Sequence, residues 1–165
     1  MSTRLAKRLP IAVLVASLAA CSSVPLDQSS TSGAGGAGGT TTGQVMDPFN
    51  PQSPLAQQRS VYFEFDSYVV PEQYRQLVEM HAGYLSANNQ RQVRVEGHAD
   101  ARGGAEYNLA LGQRRSEAVS RMMTLLGVNA NQIEAISFGK ERPKALGHTD
   151  ADYAENRRAD IVYQR

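Results

Sequence analysis

The sequence predicts an α/β fold, an α+β sandwich in which helices pack on a mixed four-stranded sheet in the order β-α-β-α-β-β. Three observations predict it. Short runs rich in β-branched and aromatic residues alternate with longer runs of helical period. Glycine and asparagine punctuate the boundaries between them. All of this falls within residues 59–165, a length suited to one hydrophobic core.

The first strand is expected at Val61-Tyr62-Phe63-Glu64-Phe65, closed by Asp66-Ser67. Pro71 suits the first turn of a helix. Tyr74, Leu77, Val78, His81, Tyr84 and Leu85 then recur at helical spacing to about Ser86, and Asn88-Asn89 stops the run. Gln92-Val93-Arg94-Val95-Glu96-Gly97 alternates at period two and predicts a second strand. A second helix is expected from Ala105 to about Leu126, with Leu111, Ala118, Met122 and Leu125 as its apolar stripe and Gly127 as its stop. Ile133, Ala135, Ile136 and Phe138 predict a third strand ending at Gly139. Residues 151–158 are short and of helical character, and Ala159-Asp160-Ile161-Val162-Tyr163 predicts a fourth strand.

Upstream of this domain the composition changes twice. Residues 1–8 are basic and Leu9 to Ala20 form an apolar run too short to span a bilayer as a helix, the pattern of a secretory signal peptide over residues 1–20. Leu18-Ala19-Ala20-Cys21 resembles the lipobox of bacterial lipoproteins. That resemblance implies cleavage before Cys21 and lipidation there: a diacylglycerol on the sulfur and an acyl chain on the new amine. Ser22 in place of an aspartate implies sorting to the outer membrane. From Cys21 to residue 58 the chain is expected to be a linker rich in Gly, Ser, Thr and Pro. As a flexible coil it would reach roughly 35 Å.

Charge and cysteine count narrow the chemistry. The chain carries 17 Lys and Arg against 16 Asp and Glu. Arg4, Lys7 and Arg8 lie in the expected signal segment, so the remainder has a slight acidic excess and no basic field for nucleic acid. Cys21 is the only cysteine, so no internal disulfide can form.

The chemistry concentrates at one junction, Gly97-His98-Ala99-Asp100-Ala101-Arg102-Gly103-Gly104 running into the second helix. A strand-to-helix junction exposes unpaired backbone N–H groups with a partial positive charge, which favours an anion. Arg115 shares a helical stripe with Asn108 and Leu111, the core face, where a guanidinium must be paired. Either it pairs with an internal acid such as Asp100 or Asp66, or it presents a bidentate donor to a ligand carboxylate. Asp100 either caps the loop and helix or accepts from a ligand ammonium or amide. His81, His98 and His148 lack metal-ligand spacing, no cofactor fingerprint is present, and neither a Gly-x-Ser-x-Gly nor a catalytic set is visible. His98 with Asp100 can be drawn as an acid–base pair and Glu64 with Asp66 as paired carboxylates, but neither makes a catalytic site, and the expectation is a chain that is not an enzyme.

Gly97-His98-Ala99-Asp100-Ala101-Arg102-Gly103 followed by Tyr107-Asn108-Leu109-Ala110-Leu111-Gly112-Gln113-Arg114-Arg115 resembles the signature of OmpA-like peptidoglycan-binding domains. Phe63-Glu64-Phe65-Asp66, Gly139-Lys140-Glu141-Arg142-Pro143 and Asn156-Arg157-Arg158 complete the pattern in order. The resemblance implies that Asp100 and Arg115 hold the diaminopimelate of the peptidoglycan stem peptide, with Phe65, Asp66, Asn108 and Leu111 lining the same pocket. It further implies partnership with TolB and other Tol proteins in envelope integrity and cell division, on the periplasmic face of the outer membrane. An envelope scaffold acting mainly through protein partners such as TolB is the alternative. Two departures stand out: Ser116 replaces the alanine usual after the arginine, and Gly104-Ala105 offers no Ser or Thr cap to the helix.

Overall fold

The computed structural model describes residues 46–165; the expected signal segment, Cys21 and most of the expected linker lie outside the described residues. The elements in order are α1 (Pro54–Gln57), β1 (Ser60–Tyr62), α2 (Arg75–Ala87), β2 (Val93–His98), α3 (Ala105–Leu125), β3 (Ile133–Gly139), α4 (Asp150–Asn156) and β4 (Arg158–Tyr163). The sheet order is β1-β4-β2-β3. β4 lies antiparallel to both neighbours, and β2 and β3 run parallel, joined by the α3 crossover. The sheet is therefore mixed, as expected.

Alternation on the strands sets the layers. Val61, Val93, Val95, Ala159, Ile161 and Tyr163 face the helices and join Val78, Ala82 and Leu85 of α2 with Val119 and Met123 of α3 in one core. Phe63 continues the ladder for one residue beyond β1, its N–H donating to the Arg157 carbonyl, before the chain turns. The first strand is thus shorter than expected, because a turn from Glu64 to Ser67 rotates Phe65 outward, where it is 62% exposed. α2 begins later than Pro71; Glu72–Tyr74 form a 3-10 turn ahead of it.

The buried face of α3 differs from the expected stripe. Asn108, Leu111, Gly112, Arg115, Ser116, Val119 and Met123 are buried, whereas Leu125 is 83% exposed and Ala118 and Met122 are half-buried. The reason is contact distance. Gly112 lets α3 approach β2 at Gly97 and β3 at Ser137, and this close seam, with small Ser116 buried one turn on, turns the helix so that Val119 and Met123, one position further along, point inward.

Residues 47–58, read from the sequence as the end of a linker, are ordered against the domain. Ser53 caps α1 and Leu55 is fully buried. The Phe49 ring meets Tyr163 edge-on at 6.4 Å. The apolar residues Phe49 and Leu55, spaced among prolines, supply the burial that the glycine-rich stretch lacks. Among the described residues no helix is long and apolar enough to cross a membrane.

Candidate functional site

Three segments converge at the carboxyl end of β2. The β1–α2 turn is closed by the Ser67 N–H donating to the Glu64 carbonyl, with Asp66 in the left-handed region (φ 54°), a conformation aspartate tolerates better than most residues. The β2–α3 loop carries Asp100 and Arg102. Asn108 on α3 pins this loop by donating its amide to the Arg102 carbonyl (2.8 Å) and the Asp100 carbonyl (3.3 Å). The third segment is the approach to β4, which contributes Arg157.

Arg115 sits at the centre, with no exposed surface. Its Nε donates to the Ser67 carbonyl (2.8 Å), Nη1 to the His98 carbonyl (2.8 Å) and Nη2 to the Glu64 carbonyl (3.1 Å). These neutral acceptors fix the guanidinium, and among the described residues no carboxylate lies within ion-pair distance of it. The internal pairing with Asp100 or Asp66 left open by the sequence does not form. Burial, then repulsion from Arg157, pushes the pKa of Arg115 down to about 10, with Asp100 and Asp66 acting against that shift. The group stays charged at neutral pH, and two of its five N–H donors remain uncommitted.

Asp100 is 5% exposed. Its Oδ1 accepts from the Arg102 backbone N–H (3.1 Å) and Nε (3.3 Å), and its Oδ2 from Arg102 Nη2 (2.6 Å), with Arg157 Nη1 at 3.5 Å. Burial pushes its carboxyl up, but the Arg102 and Arg157 hydrogen bonds hold it below the usual carboxylate range. Asp100 does cap the loop, at Arg102, yet it does not cap α3, whose N-cap Gly104 makes no side-chain bond.

All six residues singled out from the sequence, Phe65, Asp66, Asp100, Asn108, Leu111 and Arg115, line one cavity of about 200 Å³. Arg102, Tyr107 and Arg157 line it too and were missed as site residues. The first two stand inside the motif and Arg157 in Asn156-Arg157-Arg158, but no helical or strand period could aim them at the cavity. The Tyr107 hydroxyl donates to the Asp66 carboxylate, and Arg157 Nε donates to the Phe63 carbonyl (3.0 Å).

His98 does not join Asp100. Its ring is stacked on Phe138, with Nε2 3.6 Å from the Asp160 carboxylate, while Asp100 faces the cavity. Among the described residues no three His, Cys, Asp or Glu side chains form a metal-ligand cluster. The arrangement offers a fixed cation without a counter-ion beside a buried carboxylate, a polarity suited to a zwitterionic group.

Comparison with known proteins agrees with this architecture. The OmpA family matches residues 62–157. The peptidoglycan-associated lipoprotein of Pasteurella multocida is 40% identical over 160 residues, covering 97% of this chain and 99% of that protein. That of Haemophilus influenzae is 41% identical over 157 residues, covering 95% and 97%. The crystal structure of the peptidoglycan-associated lipoprotein from Burkholderia pseudomallei superposes with a TM-score of 0.69 at 57% identity, over 71% of this chain and 98% of that one. The C-terminal domain of Helicobacter pylori MotB shares the fold, with a TM-score of 0.60 at 21% identity, over 64% and 84%. The chain belongs to the OmpA family and, within it, to the peptidoglycan-associated lipoproteins.

Proposed function

We propose that this chain is an outer-membrane lipoprotein whose periplasmic domain binds the peptidoglycan stem peptide non-covalently and ties the outer membrane to the cell wall. In this reading residues 1–20 are removed, Cys21 is acylated, and the chain between Cys21 and the folded domain is the tether. The names of the relatives support the wall as partner. The observation that carries the reading is Arg115: a fully buried guanidinium, held by three carbonyls and facing a cavity without a counter-anion. A ligand carboxylate would complete its coordination, and Asp100 would take the ammonium on the same carbon of diaminopimelate. Phe65, Asp66, Asn108 and Leu111 complete the walls, Asn108 by positioning the loop. No bond is broken in this reading, and no cofactor or metal takes part. Two charge-assisted contacts with modest burial correspond to roughly micromolar affinity per site, raised by the repeating ligands of the wall.

TolB and other Tol proteins are a second class of partner, engaged in envelope integrity and cell division. Phe65 and Tyr107 line the cavity and are exposed, and Tyr68 and Val69, exposed as well, follow in the same β1–α2 connection, an apolar surface suited to a protein partner. Because this surface and the cavity share Phe65 and Tyr107, wall and protein partner would exclude one another.

The test is co-sedimentation of the full chain in detergent with diaminopimelate-type peptidoglycan, alongside folded Asp100→Ala and Arg115→Ala variants. Wild type pelleting while both variants stay in solution supports the wall anchor. Wild type remaining in solution overturns it and leaves the protein partner as the main one.

A further inference from the structure

Both oxygens of Asp100, the carboxylate that would receive a ligand cation, are already taken by Arg102. Backbone N–H and Nε bond Oδ1, and Nη2 lies 2.6 Å from Oδ2. The same guanidinium is clamped between two rings, 4.3 Å from the centre of Phe65 and 4.4 Å from that of Tyr153 on α4. With Arg157 Nη1 also 3.5 Å from Oδ2, the acceptor directions of the carboxylate are filled, so an ammonium must displace Arg102 to bond Asp100. We infer that Arg102 is a specificity-determining residue, a tethered cation that occupies the ammonium position in the free protein and yields only to a ligand bringing its own. The inference rests on the proposed binding of a diamino acid at this cavity.

The two arginines are held very differently. Arg115 has no exposed surface and three carbonyl partners, so it is a fixed post. The Arg102 side chain is 37% exposed. It is followed by Gly103, in a left-handed conformation (φ 86°), and by Gly104, around which there is open space. Besides Asp100 its guanidinium meets two ring faces and feels the Asp150 carboxylate of α4, interactions that tolerate displacement. Arg157 is anchored at the Phe63 carbonyl and stands beside Asp100 in either state. Replacement of guanidinium by ammonium exchanges one cation for another at Asp100, so no charge is left buried and unpaired. A ligand with a carboxylate alone gives Asp100 nothing in return and leaves Arg102 in place. The tethered arginine thus makes binding conditional on both charges arriving together.

Calorimetric titration of the full chain in detergent tests this with two probes. One is the tripeptide L-Ala-γ-D-Glu-meso-diaminopimelate. The other is the same peptide with 2-aminopimelate in the third position, which keeps both carboxylates and lacks the free amine. Arg102→Gln removes the charge and keeps a polar stem at a half-buried position. It is expected to tighten the diaminopimelate probe roughly tenfold, since a charge-assisted contact no longer has to be broken, while the amine-free probe changes little. In wild type, the Arg102 Nε–H resonance should move on adding the first probe and not the second. Equal or weaker binding of the first probe by Arg102→Gln overturns the inference, as does an unmoved resonance. Failure of wild type to bind either probe overturns the diaminopimelate reading itself, and with it this one.

Discussion

Gly97 on β2 and Gly112 on α3 meet backbone to backbone: a Cβ on Gly97 would stand 1.9 Å from the Gly112 carbonyl oxygen. The same seam holds the His98 carbonyl where Arg115 can donate to it. Gly97→Ala must push α3 off the sheet, and Gly112→Ala meets the Ser137 hydroxyl at 2.3 Å. Overpacking of this kind costs about 1–3 kcal/mol or more. Urea midpoints should fall for both, more for Gly97→Ala because its obstacle is backbone. A midpoint unchanged by Gly97→Ala would show that the seam can open freely.

Arg115→Lys should lose both stability and wall binding although the charge is kept. A lysine ammonium has three donors at one point and cannot serve carbonyls of Ser67, His98 and Glu64 spread around a planar fork. One or more carbonyls then stay buried and unpaired, at about 1–3 kcal/mol each. Thermal melts and co-sedimentation of the same preparations read the two effects. Binding retained by the lysine variant would show that charge alone suffices.

Acid should destabilise the domain well above the carboxylate range. Burial lowers His81 and His98 from 6.5 to about 4. His81 is held neutral between the Tyr163 hydroxyl and the Gln58 carbonyl. Their folded pKa values lie below the unfolded ones, so the unfolded chain takes up the protons first. Stability is full above about pH 6.5 and falls as pH drops toward 4, by about 3 kcal/mol for His81 and by less for His98, whose ring lies beside the Asp160 carboxylate. Asp100, depressed by Arg102, adds a further loss only at lower pH. Urea midpoints between pH 7 and 4.5 measure the slope. Ring resonances of His81 and His98 in the folded protein titrating near 6.5 would contradict it.

Gln132 provides a control remote from the cavity. Its Nε2 lies within 3.2 Å of the carbonyls of Leu85, Asn88 and Arg91, which stitches the end of α2 to the approach to β2. Gln132→Leu should cost about 1–3 kcal/mol while leaving wall affinity unchanged. A change in affinity would indicate coupling between the two ends of β2.

The ordered lead before β1 carries its own prediction. Leu55 is fully buried, so Leu55→Ala should lower stability by about 2–5 kcal/mol, as a core leucine does. A thermal melt matching wild type would mean that residues 47–58 contribute no more than a linker would.

Much of the domain was legible in the residues. Strand alternation in Val93-Arg94-Val95 and the helical spacing from Tyr74 to Leu85 are local patterns, repeated by the layers that form. Residues 97–115 marked the junction, and Asp100, Arg115, Phe65, Asp66, Asn108 and Leu111 do line one cavity. Tertiary structure alone decided the rest. Periodicity counts large apolar side chains, so it put Leu125 inward; α3 instead docks on glycine and serine, whose lack of bulk sets its rotation. Arg115 is satisfied by carbonyls from positions 64, 67 and 98, and backbone acceptors carry no side-chain signature. Arg102 meets Phe65 and Tyr153 across long stretches of chain, and only the closed fold makes them neighbours. Local sequence patterns bias backbone conformation and burial, whereas the partner of a buried charge depends on where distant segments come to rest.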